Sequence, residues 1–310
     1  MPSWNELLAE LEGLSDPKKG PWLQSQLSTT LQKVSSLRDD RNVILYASAF
    51  LQKPNVPAQN LQLTHEEING FMSVMFGMEW GKGLTLMLHT PGGVTNATET
   101  IVDYLWTKFD FIEAIVPTLA MSAGTMVCLA TNQILMCRQS QLGPIDPQMQ
   151  VAGRAISARA VVDQFERAKN EIRQDAALAS VWFPILNTIG PSLLQEAQNA
   201  LDYGEEIVSR WLEQRMFRSL GQQAKSKAKA TAAHFNDAST HKSHGRRIDR
   251  DEARQQGLSV LDVEDNQDLQ EAALTAYHLA TLIFEKTPAT KLLYSQNGRS
   301  WVKNFVQKEA

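Results

Sequence analysis

The chain has 310 residues with 43% hydrophobic and 21% charged side chains, enough to bury a core in one large domain or two small ones without disulfide staples. Its formal charge of −4 removes any whole-molecule electrostatic case for nucleic acid or an anionic membrane. The balance is uneven, because residues 210–256 carry eleven Lys/Arg against five Asp/Glu, a net +6 that leaves −10 for the remainder.

Trp4, Leu7, Leu8 and Leu11 recur at helical spacing, and Ser3 stands three residues before Glu6 as a cap, so the first forty residues read as a helical arm. The N-terminal sequence shows no basic segment followed by an apolar one, which sets the expectation of a cytoplasmic protein without a signal peptide. Residues 42–48 read as a buried strand, and Thr64 with Glu67 opens a helix to about Gly77. Residues 84–89 form an apolar rather than alternating run, the mark of a strand covered on both faces in a parallel sheet. The break at Thr90-Pro-Gly-Gly is followed by a helix over 97–108 and a strand over 111–117.

No charge occurs from Ala114 to Cys137, twenty-four positions that could span a bilayer. Pro117, Thr118, Ser122, Gly124, Thr125, Thr131, Asn132 and Gln133 interrupt the stretch, so it reads instead as a buried strand, turn, helix and strand. Cys128 and Cys137 lie inside it and behave as small hydrophobes in a reducing compartment. Alternating strands and helices over 42–140 predict an α/β fold with a mostly parallel sheet. Long amphipathic helices follow at 156–178 and 191–220. Residues 221–247 read as a mobile basic loop or insertion, after which Asp249 caps a helix, 258–263 form a short strand and 267–285 a further helix.

Two turns follow buried strands, where parallel α/β sheets gather function. In His89-Thr-Pro-Gly-Gly93, Gly92 and Gly93 let backbone amides approach a ligand. In Pro117 to Thr125, Ser122 stands at the start of a buried helix, with the amide of Ala123 at its positive end, where an oxyanion would be stabilised. Ala120 and Gly124 occupy the places a G-x-S-x-G elbow requires, so an α/β-hydrolase assignment is unsupported. One strand–helix–strand unit separates the turns and can set them side by side.

The motifs LHTPGG at 88–93, TETIVDYL at 98–105, IVPTLAMSAGTM at 115–126 and QLGPIDPQ at 141–148 resemble the serine dehydrogenase proteinase-like (SDH) family of Clp-fold serine peptidases. That family stands in the ClpP/crotonase superfamily and is related to signal peptide peptidase A. Weaker matches at 165–172, 244–248 and 252–258 extend the resemblance over roughly residues 41–285. It implies a fold of repeated β-β-α and β-α units with helices around a mostly parallel sheet and assembly into a homo-oligomer, and it leaves 286–310 to be read as a C-terminal tail. It also implies Ser122 as nucleophile, with Gly92 or Gly93 and Ala123 supplying oxyanion-hole amides. The histidine that ClpP-type enzymes carry shortly after the serine is missing from 141–148. Signal peptide peptidase relatives use a lysine on a downstream helix, and Lys169 stands 47 positions after Ser122. A lysine base needs burial to disfavour its charged form, which Ala168 and Phe165 would supply.

His244 in the basic segment is the alternative base, with His241 as its near neighbour, and Asp146 would orient a base or close a turn. No metal site is expected, since only His241 and His244 approach ligand spacing, and no cofactor is implied. No Walker-type phosphate loop is present, so any energy-driven unfolding would come from another protein. The basic segment lacks interleaved aromatics beyond Phe235, so nucleic acid is not expected as a partner; recognition of an acidic peptide or partner, or a protease-sensitive lid over the site, is the expectation for it. The reading is a serine peptidase acting on a peptide or protein substrate through a Ser122 acyl-enzyme, with Lys169 as base. The rivals are an acyl-ester or acyl-CoA hydrolase and a catalytically silent assembly protein.

Overall fold

The computed structural model describes residues 3–151, 153–187 and 192–306. It divides into two compact units, one built from residues 1–142 and 247–310 and the other from 143–246.

In the first unit the helices α1 (Trp4–Glu12) and α2 (Asp16–Leu37) precede β1 (Asn42–Ser48), α3 (Glu67–Met75), β2 (Leu84–His89) and α4 (Thr95–Trp106). Next come β3 (Ile112–Val116), β4 (Leu119–Ala120), α5 (Ala123–Leu129), β5 (Gln133–Met136) and β6 (Gln141–Leu142). The second unit holds β7 (Gln148–Val151), β8 (Arg154–Ser157), α6 (Ala158–Gln174), α7 (Ala179–Asn187), α8 (Leu193–Gln214), α9 (Ala224–Asn236) and α10 (Ala238–His241). The chain then returns to the first unit with α11 (Arg250–Gln255), β9 (Val260–Asp262), α12 (Gln267–Lys286), β10 (Ala289–Ser295) and β11 (Ser300–Asn304).

Seven strands form the main sheet in the order β11-β10-β1-β2-β3-β5-β9. From β1 to β9 the pairing is parallel, while β10 and β11 join antiparallel. The parallel α/β reading is therefore borne out. Every residue of β1, β2 and β3 is buried, which explains their unbroken apolar runs. The uncharged stretch 114–137 is β3, β4, α5 and β5, packed inside the unit, and no helix among the described residues is long and apolar enough to cross a membrane. Cys128 and Cys137 are buried within it as free thiols, and burial pushes Cys137 up to about 12.

The arm is a structural layer of this unit. Ser3 and Glu6 form the expected capping box, and Leu23, Leu27, Leu31 and Val34, one turn apart on α2, are buried in the same core as Leu45, Leu279 and Leu292. The end of α2 is fixed by charge: Arg38 donates to both carboxylate oxygens of Glu113 at 2.8 and 2.7 Å, and Arg41 adds a contact at 3.3 Å. Thr85 and Gln133, from the strands on either side of β3, donate to the same carboxylate at 2.7 and 2.8 Å.

Two segments depart from the sequence expectation. The basic stretch 221–247 is not a mobile loop, because α9 buries Ala224, Ala228, Thr231, Ala232 and Phe235 along one face. Three of those five residues are alanine and one is threonine, which gives little hydrophobic contrast among lysines, so the helical period was hidden. The segment after 286 is not a tail: β10 is buried along its whole length between β1 and β11.

Burial pushes the Glu113 carboxyl up, but the hydrogen bonds from Arg38, Thr85 and Gln133 outweigh it and hold the group below its ordinary value of 4.5. Its stabilising contribution is therefore complete above that value and is lost as pH falls through the lower folded one. Arg38→Ala, which strands part of a buried charge, is expected to cost about 3–5 kcal/mol in urea unfolding at neutral pH, with the difference from wild type shrinking once Glu113 is protonated.

Candidate active site

The strand-to-helix turns at 90–93 and 120–123 meet in the first unit. Thr90 N–H donates to Leu119 O at 2.9 Å and Met121 N–H to Thr90 O at 3.1 Å, so the two turns are stitched by a short parallel pairing. On the other flank Leu63 N–H donates to Gly92 O at 2.8 Å and Val94 N–H to Leu63 O at 2.9 Å. The glycine turn is thus held from both sides by backbone hydrogen bonds.

This sandwich leaves no room for side chains. A Cβ on Gly92, whose φ is +100°, would stand 2.6 Å from Met121 O, 2.7 Å from Ser122 Cβ and 2.9 Å from Ala123 N. A Cβ on Gly93 would stand 2.1 Å from Leu63 O. Gly92 N–H is committed to Thr90 Oγ1 at 3.1 Å. Gly93 pairs with Leu63 through its neighbours' groups, so its own N–H points away from that pairing. Neither Gly93 N–H nor Ala123 N–H has a backbone partner among the described residues.

Ser122 immediately precedes α5, is half-buried and has φ +51°, ψ −117°, a conformation non-glycine residues rarely adopt. Its neighbours fix that strain in place. Gly124 N–H donates to Met121 O at 2.8 Å, Met126 N–H to Ser122 O at 3.0 Å and Thr125 Oγ1 to Ala120 O at 2.7 Å. Ser122 Oγ makes no hydrogen bond among the described residues of its unit.

His89, which the sequence offered only as the start of the TPGG motif, lies beneath this turn. It is fully buried, bonded through Nδ1 to Thr118 Oγ1 at 2.8 Å and packed against Phe50 and Tyr277 at ring separations of 4.9 and 4.8 Å. Burial lowers it to about 3, so it stays neutral. Thr90, Leu63 and His89 form the scaffold of the turn, and an apolar strand ending in His-Thr was the one sequence signal for it.

The remaining sequence candidates lie in the second unit. His244 Nδ1 is 2.8 Å from Asp146 Oδ1. Asp146 is 1% exposed and also accepts from Gln148 Nε2 at 2.8 Å. Because a carboxylate only accepts, Nδ1 is the donor in this bond, which turns Nε2 to the opposite side of the ring. His241 is buried with both ring nitrogens occupied, Nε2 at 2.7 Å from His234 O and Nδ1 at 2.9 Å from Arg246 Nη1. Lys169 lies on α6 with a side chain half exposed and ion-paired to Glu166 at 3.2 Å. The burial expected for it falls on its neighbour Ala168, which is 1% exposed.

Gly92→Ala and Gly93→Ala are each expected to lower the urea midpoint, at a cost of roughly 1–3 kcal/mol or more. Gly204→Ala in α8, where the added methyl meets open space, is expected to raise it by about 0.4–1 kcal/mol. Because folded His89 resists protonation while the unfolded residue takes a proton near 6.5, it lowers stability as pH falls from there toward 3. Imidazole NMR is expected to show His89 neutral down to about pH 4, and titration near 6.5 would contradict its burial.

Residues 78–184 match the family of ClpP-like SDH-type serine proteinases, which bears out the resemblance carried by the motifs in that stretch. An uncharacterized protein of Methanocaldococcus jannaschii is 32% identical over 131 residues, 40% of this chain and 42% of that protein. A second from the same organism is 38% identical over 66 residues, 21% and 23% of the two lengths. The chain thus aligns with less than half the length of either relative. Among solved structures, a variant of the 1510-N membrane-bound stomatin-specific protease is similar at 16% identity and a TM-score of 0.38, over 68% of this chain and 79% of that one. A ClpP1 variant from Listeria monocytogenes is similar at 13% identity and a TM-score of 0.40, over 76% and 98%.

Proposed function

We propose, from the ClpP-like SDH-type serine proteinase segment at 78–184, that this chain is a serine peptidase that cleaves peptide bonds through an acyl-enzyme on Ser122. The observation that carries the reading is Ser122 held at φ +51° against a glycine turn whose Gly93 amide, like that of Ala123, has no backbone partner among the described residues. In this reading Ser122 Oγ attacks the scissile carbonyl and the two amides stabilise the oxyanion that forms.

The general base is His244. Its support is the buried Asp146 carboxylate, which fixes the tautomer and favours the imidazolium formed when Nε2 takes the serine proton. The same imidazolium then protonates the leaving amine. The Ser122–Lys169 dyad rests on family resemblance. It would need Lys169 to leave Glu166 and lose water, since a solvated ammonium is a poor base at neutral pH. Assembly into a homo-oligomer and residence in the cytoplasm belong to the same proposal and rest on the resemblance and the sequence reading.

Hydrolysis of a quenched fluorescent peptide library tests the assignment. Ser122→Ala is expected to lower kcat at least a thousandfold and His244→Gln about a hundredfold or more, with Lys169→Ala within a few-fold of wild type. Loss of activity in Lys169→Ala with His244→Gln active would establish the dyad instead. Turnover of acyl thioesters without any peptide cleavage would mark the chain as an acyl hydrolase, and full activity in Ser122→Ala would refute the nucleophile.

A further inference from the structure

The second unit contains a polar cavity of about 190 Å³ whose wall includes Asp146, Ser157, Arg159, Asp163, Lys242 and His244. Most of its polar groups have partners. Asp146 is held by His244 and Gln148, and Ser157 caps α6 by accepting from Arg159 N–H at 3.2 Å.

The side chains of Arg159, Asp163 and Lys242 are the exceptions, and of these only Arg159 has a polar atom that is buried. Arg159 makes no hydrogen bond or ion pair with any described residue, although Asp163 stands one turn further along α6, and its Nε is sealed from solvent without an acceptor. A buried donor left unpaired is costly, and a charged one more so, which makes such groups rare in folded proteins. Guanidinium Nε and Nη form a planar fork that matches the two oxygens of a carboxylate. Two further features favour negative charge here. The first turn of α6, a helix of 17 residues, opens on the cavity, and Lys242 adds a second cation from a backbone held at φ +64°.

We propose that this cavity is an anion subsite in which Arg159 grips a carboxylate of the peptide substrate, so that the enzyme selects acidic peptides. The carboxylate comes from a Glu or Asp side chain or from a free C-terminus. The substrate class rests on the peptidase reading; the anion site itself does not.

The test is binding to the full-length Ser122→Ala protein, which needs no turnover. Fluorescein-labelled peptides of one neutral sequence carry a single Glu, or Gln in its place, stepped along the chain, each with a free or an amidated C-terminus. Fluorescence anisotropy is expected to show a Kd about ten- to a hundredfold tighter for a carboxylate at one position or at the C-terminus than for its amide. The difference is expected to vanish in Arg159→Gln and to survive in part in Arg159→Lys. Equal binding of acid and amide forms, no binding of any peptide, or a preference that persists in Arg159→Gln would overturn the subsite. Cleavage of the same peptides by the protein with Ser122 intact is read separately. Carboxylate-selective binding without turnover removes the peptidase reading and leaves the subsite, whereas turnover without selectivity does the reverse.

Discussion

The backbone clamp on residues 90–93 is the constraint that fixes the geometry of both turns in the first unit. Leu63 pairs with one side of the turn and residues 119–121 with the other, so Gly92 and Gly93 lie where neither can carry a Cβ. The clamp is itself anchored below. Glu67 and Lys291 form an ion pair with both side chains almost fully buried. Glu67 accepts from Thr64 N–H at 2.7 Å and Lys291 donates to Gln62 O at 3.1 Å, which grips the chain on both sides of Leu63. Neither charge could be left alone at this depth, so the pair holds Leu63 in register and Leu63 holds the glycines. Backbone strain at Ser122 persists because its surroundings over-determine it.

Parts of this arrangement were legible in the sequence. Unbroken apolar runs gave the parallel strands, and Gly92, Gly93 and the lone Ser122 marked the turns, since each signal is local and follows from backbone or burial chemistry. Other parts were not. The alanine stripe of α9 gave no contrast, so a packed helix looked like a basic loop. β10 carries an apolar run, but nothing local says that it inserts antiparallel beside β1. Arg38 and Glu113 are 75 positions apart, and Asp146 and His244 are 98 apart. Pairings at such separations leave no periodic trace, and Asp146 between Ile145 and Pro147 reads as readily as a turn.

The contrast between Lys169 and His244 shows how burial distributes chemistry on a scaffold. Both were named from sequence. Lys169 is half exposed and ion-paired to Glu166, while Ala168 takes the buried position. His244 meets a carboxylate already withdrawn from solvent, and a bond of that kind fixes the orientation of the imidazole. The same wall carries Arg159, whose Nε is buried without a partner among the described residues.

The central claim is that Ser122 is an activated nucleophile. Treatment of the native protein with a fluorophosphonate, followed by proteolysis and tandem mass spectrometry, tests it directly. The account predicts a single stoichiometric adduct on Ser122, formed rapidly at neutral pH and suppressed in His244→Gln. An unmodified Ser122, or labelling that persists at another residue in Ser122→Ala, would contradict it.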